Sequence, residues 1–216
     1  GSDNGNGNER PAHQVYLNTY YMDKYEVTNA FYKACVDEKI CTDPKRTVSY
    51  TRSNYYSNSQ YSDYPVIYVD WNMAKNYCEW RGARLPTEAE WEKAARGTDG
   101  RTYPWGESLN CFMANYSMCV GDTSAVGSYE GGQSPYGIYD MAGNVWEWVA
   151  DWYQDTYYQN SPFDNPLGPS SGQYRVLRGG SWDPLYAKTV RTTNRGSGVP
   201  TDTYRYVGFR CTRSFP

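Results

Sequence analysis

Six cysteines, one histidine and two short acidic stretches are the places where this sequence could do chemistry. Cys35 and Cys41 bracket VDEKI, and Cys111 and Cys119 bracket FMANYSM. Each pair is close enough to staple a loop. Cys78 and Cys211 remain as a third pair, far apart in the chain. There is no CxxC, so zinc ribbons and thioredoxin-like motifs are not expected. An even count fits disulfides and an extracellular or cell-surface location. His13 is the lone imidazole, which removes most metalloenzyme and triad designs. In DMAGNVWEW, Asp140 and Glu147 supply hard anionic oxygens. The turn Ala142-Gly143-Asn144 between them can direct carbonyls inward, and calcium takes such mixed oxygen sets. Asp183 beside Trp182, or Glu147 between Trp146 and Trp148, could also serve as a general acid or base. Hydrogen-bonding carboxylates are the simpler reading of both.

Composition narrows the classes further. The chain has 216 residues, enough for one well-buried core and short for two domains. We therefore expect a single domain over 1–216. A net charge of −3 argues against a nucleic-acid partner. No apolar run approaches the length of a membrane helix, so no membrane insertion is expected in this segment. No leader precedes Gly1, which points to a cytosolic or a processed chain. Twenty-four Tyr and 8 Trp give polar-tipped apolar surface suited to half-wet binding faces.

The elements that must position these residues are partly legible. GSDNGNGNER, residues 1–10, reads as a mobile lead-in. HQVYLNTYYMDKYEVTN alternates like strands, and Thr28-Asn29 opens a helix through AFYKACVDE. Residues 42–64 are polar, Tyr- and Ser-rich and without period, which predicts a long surface loop. The two clearest helices follow. Asp70 or Asn72 caps MAKNYCEWRG, ended by Gly82. Thr87 and Glu90 form a capping box for LPTEAEWEKAARG, ended by Gly97. Ala89, Trp91 or Ala95 can face a core while Glu88, Glu92, Lys93 and Arg96 face water. The rest, from YPWGE through SPYGIYDMAGNVWEWVADWY and YRVLRGGSW to VGFRC, reads as short strands and glycine-rich turns. The fold class is α+β, with two early helices and a loop-dominated second half.

Taken together, DKYEVTNAFY, YPVIYVDWNMAKNYCEWRGARLPTEAEWEKAARG, YPWG, GNVWEW, RVLRGGSW and VGFRC resemble the formylglycine-generating-enzyme/sulfatase-modifying-factor superfamily. They occur in the family's order and cover about residues 10–213. The resemblance implies a C-type-lectin-like fold with much irregular structure. It does not imply one function, because the superfamily holds copper-dependent oxidases, sulfoxide-forming iron enzymes and non-catalytic binding proteins. It also implies a structural disulfide between Cys78 and Cys211, a closure worth roughly 4 kcal/mol. Arg84, Arg178 and Arg210 become half-buried or buried arginines bonded to carbonyls and acids, and the tryptophans become packing residues.

Site residues can be carried over position by position. The oxidases place two Cu(I)-binding cysteines after the GGS-aromatic turn, where this chain has Pro184 and Thr189. Neither offers a soft sulfur ligand. The iron branch needs three histidines. No copper or iron chemistry is therefore expected, and no catalytic residue is assigned. The family's calcium positions match Asp140, Gly143, Val145 and Glu147, with the Gly and Val positions using carbonyl oxygen. A second calcium site would begin at Asn115 and Tyr116, with Asp122 as a further ligand. Structural calcium is the expected cofactor.

The segment 182–207 is the expected ligand face. Its candidate contacts are Trp182, Asp183, Pro184, Leu185, Tyr186, Thr189, Gly196, Ser197, Gly198, Val199, Asp202, Tyr204, Arg205 and Tyr206. This arrangement resembles the bacterial or phage variable proteins of diversity-generating retroelements, whose C-terminal codons are rewritten to display new surfaces. The residue types at Asp183 to Tyr186, Thr189, Gly196 to Val199 and Asp202 to Tyr206 are among those that adenine-directed mutation of Asn codons can reach. The expected function is non-catalytic binding of a protein, peptide or glycan. The alternatives are an oxidase or other enzyme of the superfamily, and a sensor domain of a cell-surface protein or kinase.

Overall fold

The computed structural model describes residues 1–183 and 187–215. Pro184, Leu185 and Tyr186, three of the expected contacts, lie outside the described residues. Three α-helices form: α1 (Asn29–Asp37), α2 (Trp71–Trp80) and α3 (Glu88–Arg96). All three were expected from sequence, α1 from its Thr28-Asn29 start, although the fold class counted only the two clearest. Thr28, Asp70 and Thr87 cap them, each accepting a backbone N–H two or three residues into the helix. Asp70 rather than Asn72 is thus the cap of α2. Thr87 and Glu90 form the predicted capping box.

Six short strands follow the same economy: β1 (Tyr20–Met22), β2 (Trp146–Trp152), β3 (Arg175–Arg178), β4 (Gly196–Gly198), β5 (Val207–Phe209) and β6 (Thr212–Ser214). Four make one sheet in the order β4-β3-β2-β5, antiparallel except for β2 beside β5. β1 and β6 pair antiparallel. YPWGE forms a turn closed by Tyr103 and Gly106, not a strand of a sheet. Of the N-terminal stretch read as strands, β1 and an isolated bridge from Tyr16 to Asp164 pair.

Strand alternation divides the core. Trp148 and Leu177 face α1 and α2, packing with Tyr32, Tyr77 and Phe209. Val149 and Val176 face the other way, against Trp91, Ala94 and Ala95 of α3. All three expected disulfides are present, and Cys78–Cys211 ties α2 to the chain just before β6. Three bridges indicate an oxidising compartment. No helix among the described residues is long and apolar enough to cross a membrane.

Three local expectations fail for one reason: the partner lies far away in sequence. Residues 1–10 are not a mobile lead-in. Glu9 is fully buried and accepts from both Arg191 terminal nitrogens and from Thr193. Glu88 and Glu92 do not face water. They are buried against Arg195 and Arg178. The 42–64 stretch is irregular but not merely surface, since Tyr55 and Tyr56 are buried and the Tyr55 hydroxyl accepts from Thr123 Oγ1 at 3.1 Å. Ala89, expected toward the core, is only half-buried.

Candidate functional site

The end of β3 builds the site. After Arg178 the chain turns through Gly179 and Gly180, at φ of 94° and 72°. A Cβ on Gly180 would lie 2.6 Å from Val190 and 3.0 Å from the Thr189 backbone, so only glycine lets the two segments approach. Arg178 fixes the returning segment by donating to the carbonyls of Thr192, Thr193 and Asn194. Trp182 then plugs into a small core with Tyr55, Ile67 and Val145. Its carbonyl accepts from the Met118 amide, which brings the Cys111–Cys119 loop alongside.

Asp183 follows, 7% exposed. Arg205 donates from two nitrogens, at 2.9 and 3.3 Å, both to its Oδ2. The Arg205 guanidinium lies over Tyr50 and Trp182. Asp183 Oδ1 is buried and accepts nothing among the described residues. Beside it opens a pocket of about 190 Å³ whose walls include Trp146, Ser181, Asp183, Thr189, Ser197 and Tyr206.

The structure thus sorts the expected contacts. Asp183, Thr189, Gly196, Ser197 and Tyr206 meet in this pocket, and Arg205 joins through Asp183. Val199, Asp202 and Tyr204 lie outside its wall; Asp202 is exposed and Tyr204 stacks on Tyr206. Trp182 and Gly198 are buried. A Cβ on Gly198 would lie 2.7 Å from the Trp148 ring, and one on Gly196 2.9 Å from the Trp146 ring. Packing thus requires glycine at both positions; Gly198 is buried, while Gly196 lines the pocket with its backbone. Sequence reasoning missed Tyr50, Trp146 and Ser181. Tyr50 sat in a stretch without period, and the other two sat in motifs read as frame.

The calcium positions are a different matter. Asp140 and Asn144 both adopt left-handed backbone, with Gly143 between them, so DMAGN is a tight turn. Glu147 is fully buried; Arg210 bridges its two oxygens and the Trp91 indole donates to one of them. Asp140 accepts the Gly127 amide. Burial, only partly offset by that bond and Arg210, pushes Asp140 up to about 6. Glu26 sits beside them, bonded to Asn144 and to the Val145 amide. Burial first, then the charges of Asp140 and Glu147, push it well above the ordinary carboxylate range. Three buried carboxylates therefore face one buried guanidinium.

At the second position Asn115 is buried with Oδ1 unpartnered among the described residues, and Tyr116 is half-buried beside it. Asp122 is already full. It accepts from Ser49, twice from Thr51 and from Thr123, and pairs with Arg52. Burial opposes its charge, yet the bonds from Ser49 and Thr51 win and hold it below its usual range. Asp122 does not fit as a cation ligand. Among the described residues no three His, Cys, Asp or Glu side chains gather at metal-binding spacing.

The larger cavity, about 620 Å³, was not anticipated. It lies between residues 12–17 and α3, with His13, Glu92 and Asp151 in its wall. Only the folded course of the N-terminal segment creates it.

The three-helix, short-stranded architecture with its long irregular connections defines a C-type-lectin-like fold of the formylglycine-generating-enzyme type. Residues 1–215 match the sulfatase-modifying factor enzyme 1-like domain, and the chain belongs to that family. It is 37% identical over 227 residues to the serine/threonine-protein kinase pkn1 of Chlamydia pneumoniae, covering 99% of this chain and 36% of the kinase. It is 41% identical over 166 residues to the formylglycine-generating enzyme of Streptomyces coelicolor, covering 69% of this chain and 52% of that one. The chain thus spans about a third of the kinase relative and about half of the enzyme. Among solved structures, Treponema denticola variable protein 1 superposes with a TM-score of 0.79 at 25% identity, covering 94% of this chain and 87% of that one. PvdO from Pseudomonas aeruginosa gives 0.82 at 28%, covering 99% and 88%.

Proposed function

We propose that this domain is a non-catalytic ligand-binding module whose contact face is centred on Asp183, Arg205 and the adjoining pocket. One observation carries the reading. The positions where the oxidases keep copper-binding cysteines hold Pro184 and Thr189, and all six cysteines of the chain are committed to disulfides. No thiol remains to hold Cu(I). The decisive measurement is a Cu(I) competition titration together with an assay for aldehyde formation on a cysteine-containing peptide. The expected result is no tight copper binding and no aldehyde. Tight thiol-dependent copper binding with turnover would overturn the reading.

Two finer versions have separate support. Likeness to Treponema denticola variable protein 1 favours a retroelement-diversified protein. In that version the rewritten positions exclude Trp182, Gly196 and Gly198, which packing fixes. A reverse transcriptase gene and a near-copy of the 3′ coding end in the neighbouring DNA would support it; their absence would remove it. The near-complete match to one third of pkn1 favours a sensor domain joined to a kinase. Kinase sequence in the same reading frame would decide for that version.

Structural calcium belongs to the same proposal. The acid excess around Asp140, Glu147 and Glu26 supports a bound cation, which would offset unpaired negative charge. Asp140, with carbonyls of Gly143 and Val145, would hold it, and Glu147 would join by giving up a bond from Trp91 or Arg210. The cation would steady the turn that leads into β2 and take no part in ligand chemistry.

A further inference from the structure

The pocket beside Asp183 has an unusual electrostatic state. Its carboxylate is more than nine-tenths buried, and among the described residues its ion-pair partner is Arg205. Both Arg205 contacts fall on Oδ2, so the charge is matched but Oδ1 is left without a donor among the described residues. A buried acceptor without a donor is costly, and whatever supplies one is bound the more tightly. The carboxylate torsion is broad and two-fold, so rotation about it can turn Oδ1 toward the pocket that Asp183 already lines.

The matched charge selects the donor. A cation at Oδ1 would sit close to the Arg205 guanidinium and be repelled by it. A neutral hydroxyl meets no such penalty. The other walls agree. Ser181, Thr189 and Ser197 bring hydroxyl groups, while Trp146 and Tyr206 bring aromatic surface. At about 190 Å³ the space is several times the share of one water, about 30 Å³, yet small for a drug-sized ligand. A single ring carrying several hydroxyls matches all three features: size, apolar C–H face and donors.

We propose that this pocket is a subsite for one sugar residue, with Asp183 accepting a ring hydroxyl and Trp146 or Tyr206 packing on the ring. The inference rests on the binding-module reading and deepens it.

The experiment is saturation-transfer NMR on the intact chain with free glucose, galactose, mannose and N-acetylglucosamine, followed by titration of any hit. At least one sugar should show transfer. Asp183→Ala should weaken it at least about tenfold, and Lys33→Ala on α1 should leave it unchanged. If Asp183→Ala does not fold, as judged by its thermal melt, Asp183→Asn provides the second variant. It keeps a carbonyl acceptor, so loss should be only a few-fold. The absence of transfer from every sugar overturns the proposal, and so does transfer indifferent to both Asp183 variants. Binding of lysine amide or arginine amide in place of sugar also overturns it, and assigns the pocket to a cation. None of these outcomes touches the copper result, so the broader reading stands or falls separately.

Discussion

Two buried charge clusters in this molecule use the same residue types to opposite effect. In the first, Glu88 and Glu92 of α3 meet Arg195 and Arg178 from the C-terminal segment. Glu92 also pairs with Arg96, and burial, which would raise its pKa, is opposed by Arg178 and Arg96, which lower it. In the second, Arg210 faces Glu147, Asp140 and Glu26, and two of those acids are pushed up. In the first cluster Glu88 and Glu92 are matched by Arg195, Arg178 and Arg96, and Arg178 and Arg195 also donate to backbone carbonyls; the neighbouring Asp151 is pushed up to about 8, by burial first and then by the Glu88 charge. This cluster staples the segment that frames the pocket onto α3. The second carries surplus negative charge, which a proton or a cation must offset. Charge balance, rather than burial, separates the staple from the cation candidate.

The largest expected effect tests the staple. Arg178→Met leaves Glu92 without its closest side-chain cation and removes the donor from three carbonyls. Breaking one partner of a buried pair costs about 3–5 kcal/mol. Urea unfolding should show that loss, or no folded protein should be recovered. A loss under about 1 kcal/mol would mean that the cluster relaxes into water and is not a staple.

The second cluster should respond to pH in the opposite sense from an ordinary ion pair. Asp140 is pushed up to about 6 when folded and titrates near 3.9 when unfolded. The folded state therefore binds the proton more tightly. Its stabilising share is complete below about pH 4, shrinks as pH rises, and is gone above about pH 6, up to about 3 kcal/mol in all. Comparing the wild type with Asp140→Asn isolates this slope from other carboxylates that titrate in the same window. Millimolar calcium should flatten the wild-type slope and raise the melting temperature, and a chelator should reverse both. A slope and a melt indifferent to calcium would leave the proton as the compensating charge and remove calcium from this turn.

The same contrast shows what the sequence could and could not reveal. Periodicity and caps placed α2 and α3, and the quoted motifs placed the turn at Gly179-Gly180 and the Cys78–Cys211 bridge. These are local or pairwise signals. The failures were many-body. Glu88 and Glu92 follow a water-facing pattern on α3, but Arg178, 86 residues after Glu92, and Arg195, 107 residues after Glu88, cover them. Gly196 and Gly198 looked like display positions because nothing in GSGV announces the indoles of Trp146 and Trp148 behind them. Asp183 was named, but its one-sided pairing with Arg205 exists only when both segments are folded together.

The smallest expected effect lies at the hydroxyl that starts α3. Thr87 Oγ accepts the Glu90 amide, while Glu90 returns to the Thr87 amide and also pairs with Arg84. Thr87→Ala removes one half of this exchange, which costs about 1 kcal/mol. Thr87 is the residue before Glu88, and α3 carries both staple acids. Loosening its first turn should therefore cost more in the presence of Arg195 than in an Arg195→Met background, where Glu88 keeps only its longer contact to Arg178 at 3.6 Å. A double-mutant cycle read by urea unfolding gives the difference. A coupling of about 0.5 kcal/mol or more would show that the cap serves the cluster as well as the helix. Strict additivity would confine Thr87 to the helix end and leave the staple dependent on tertiary contacts alone.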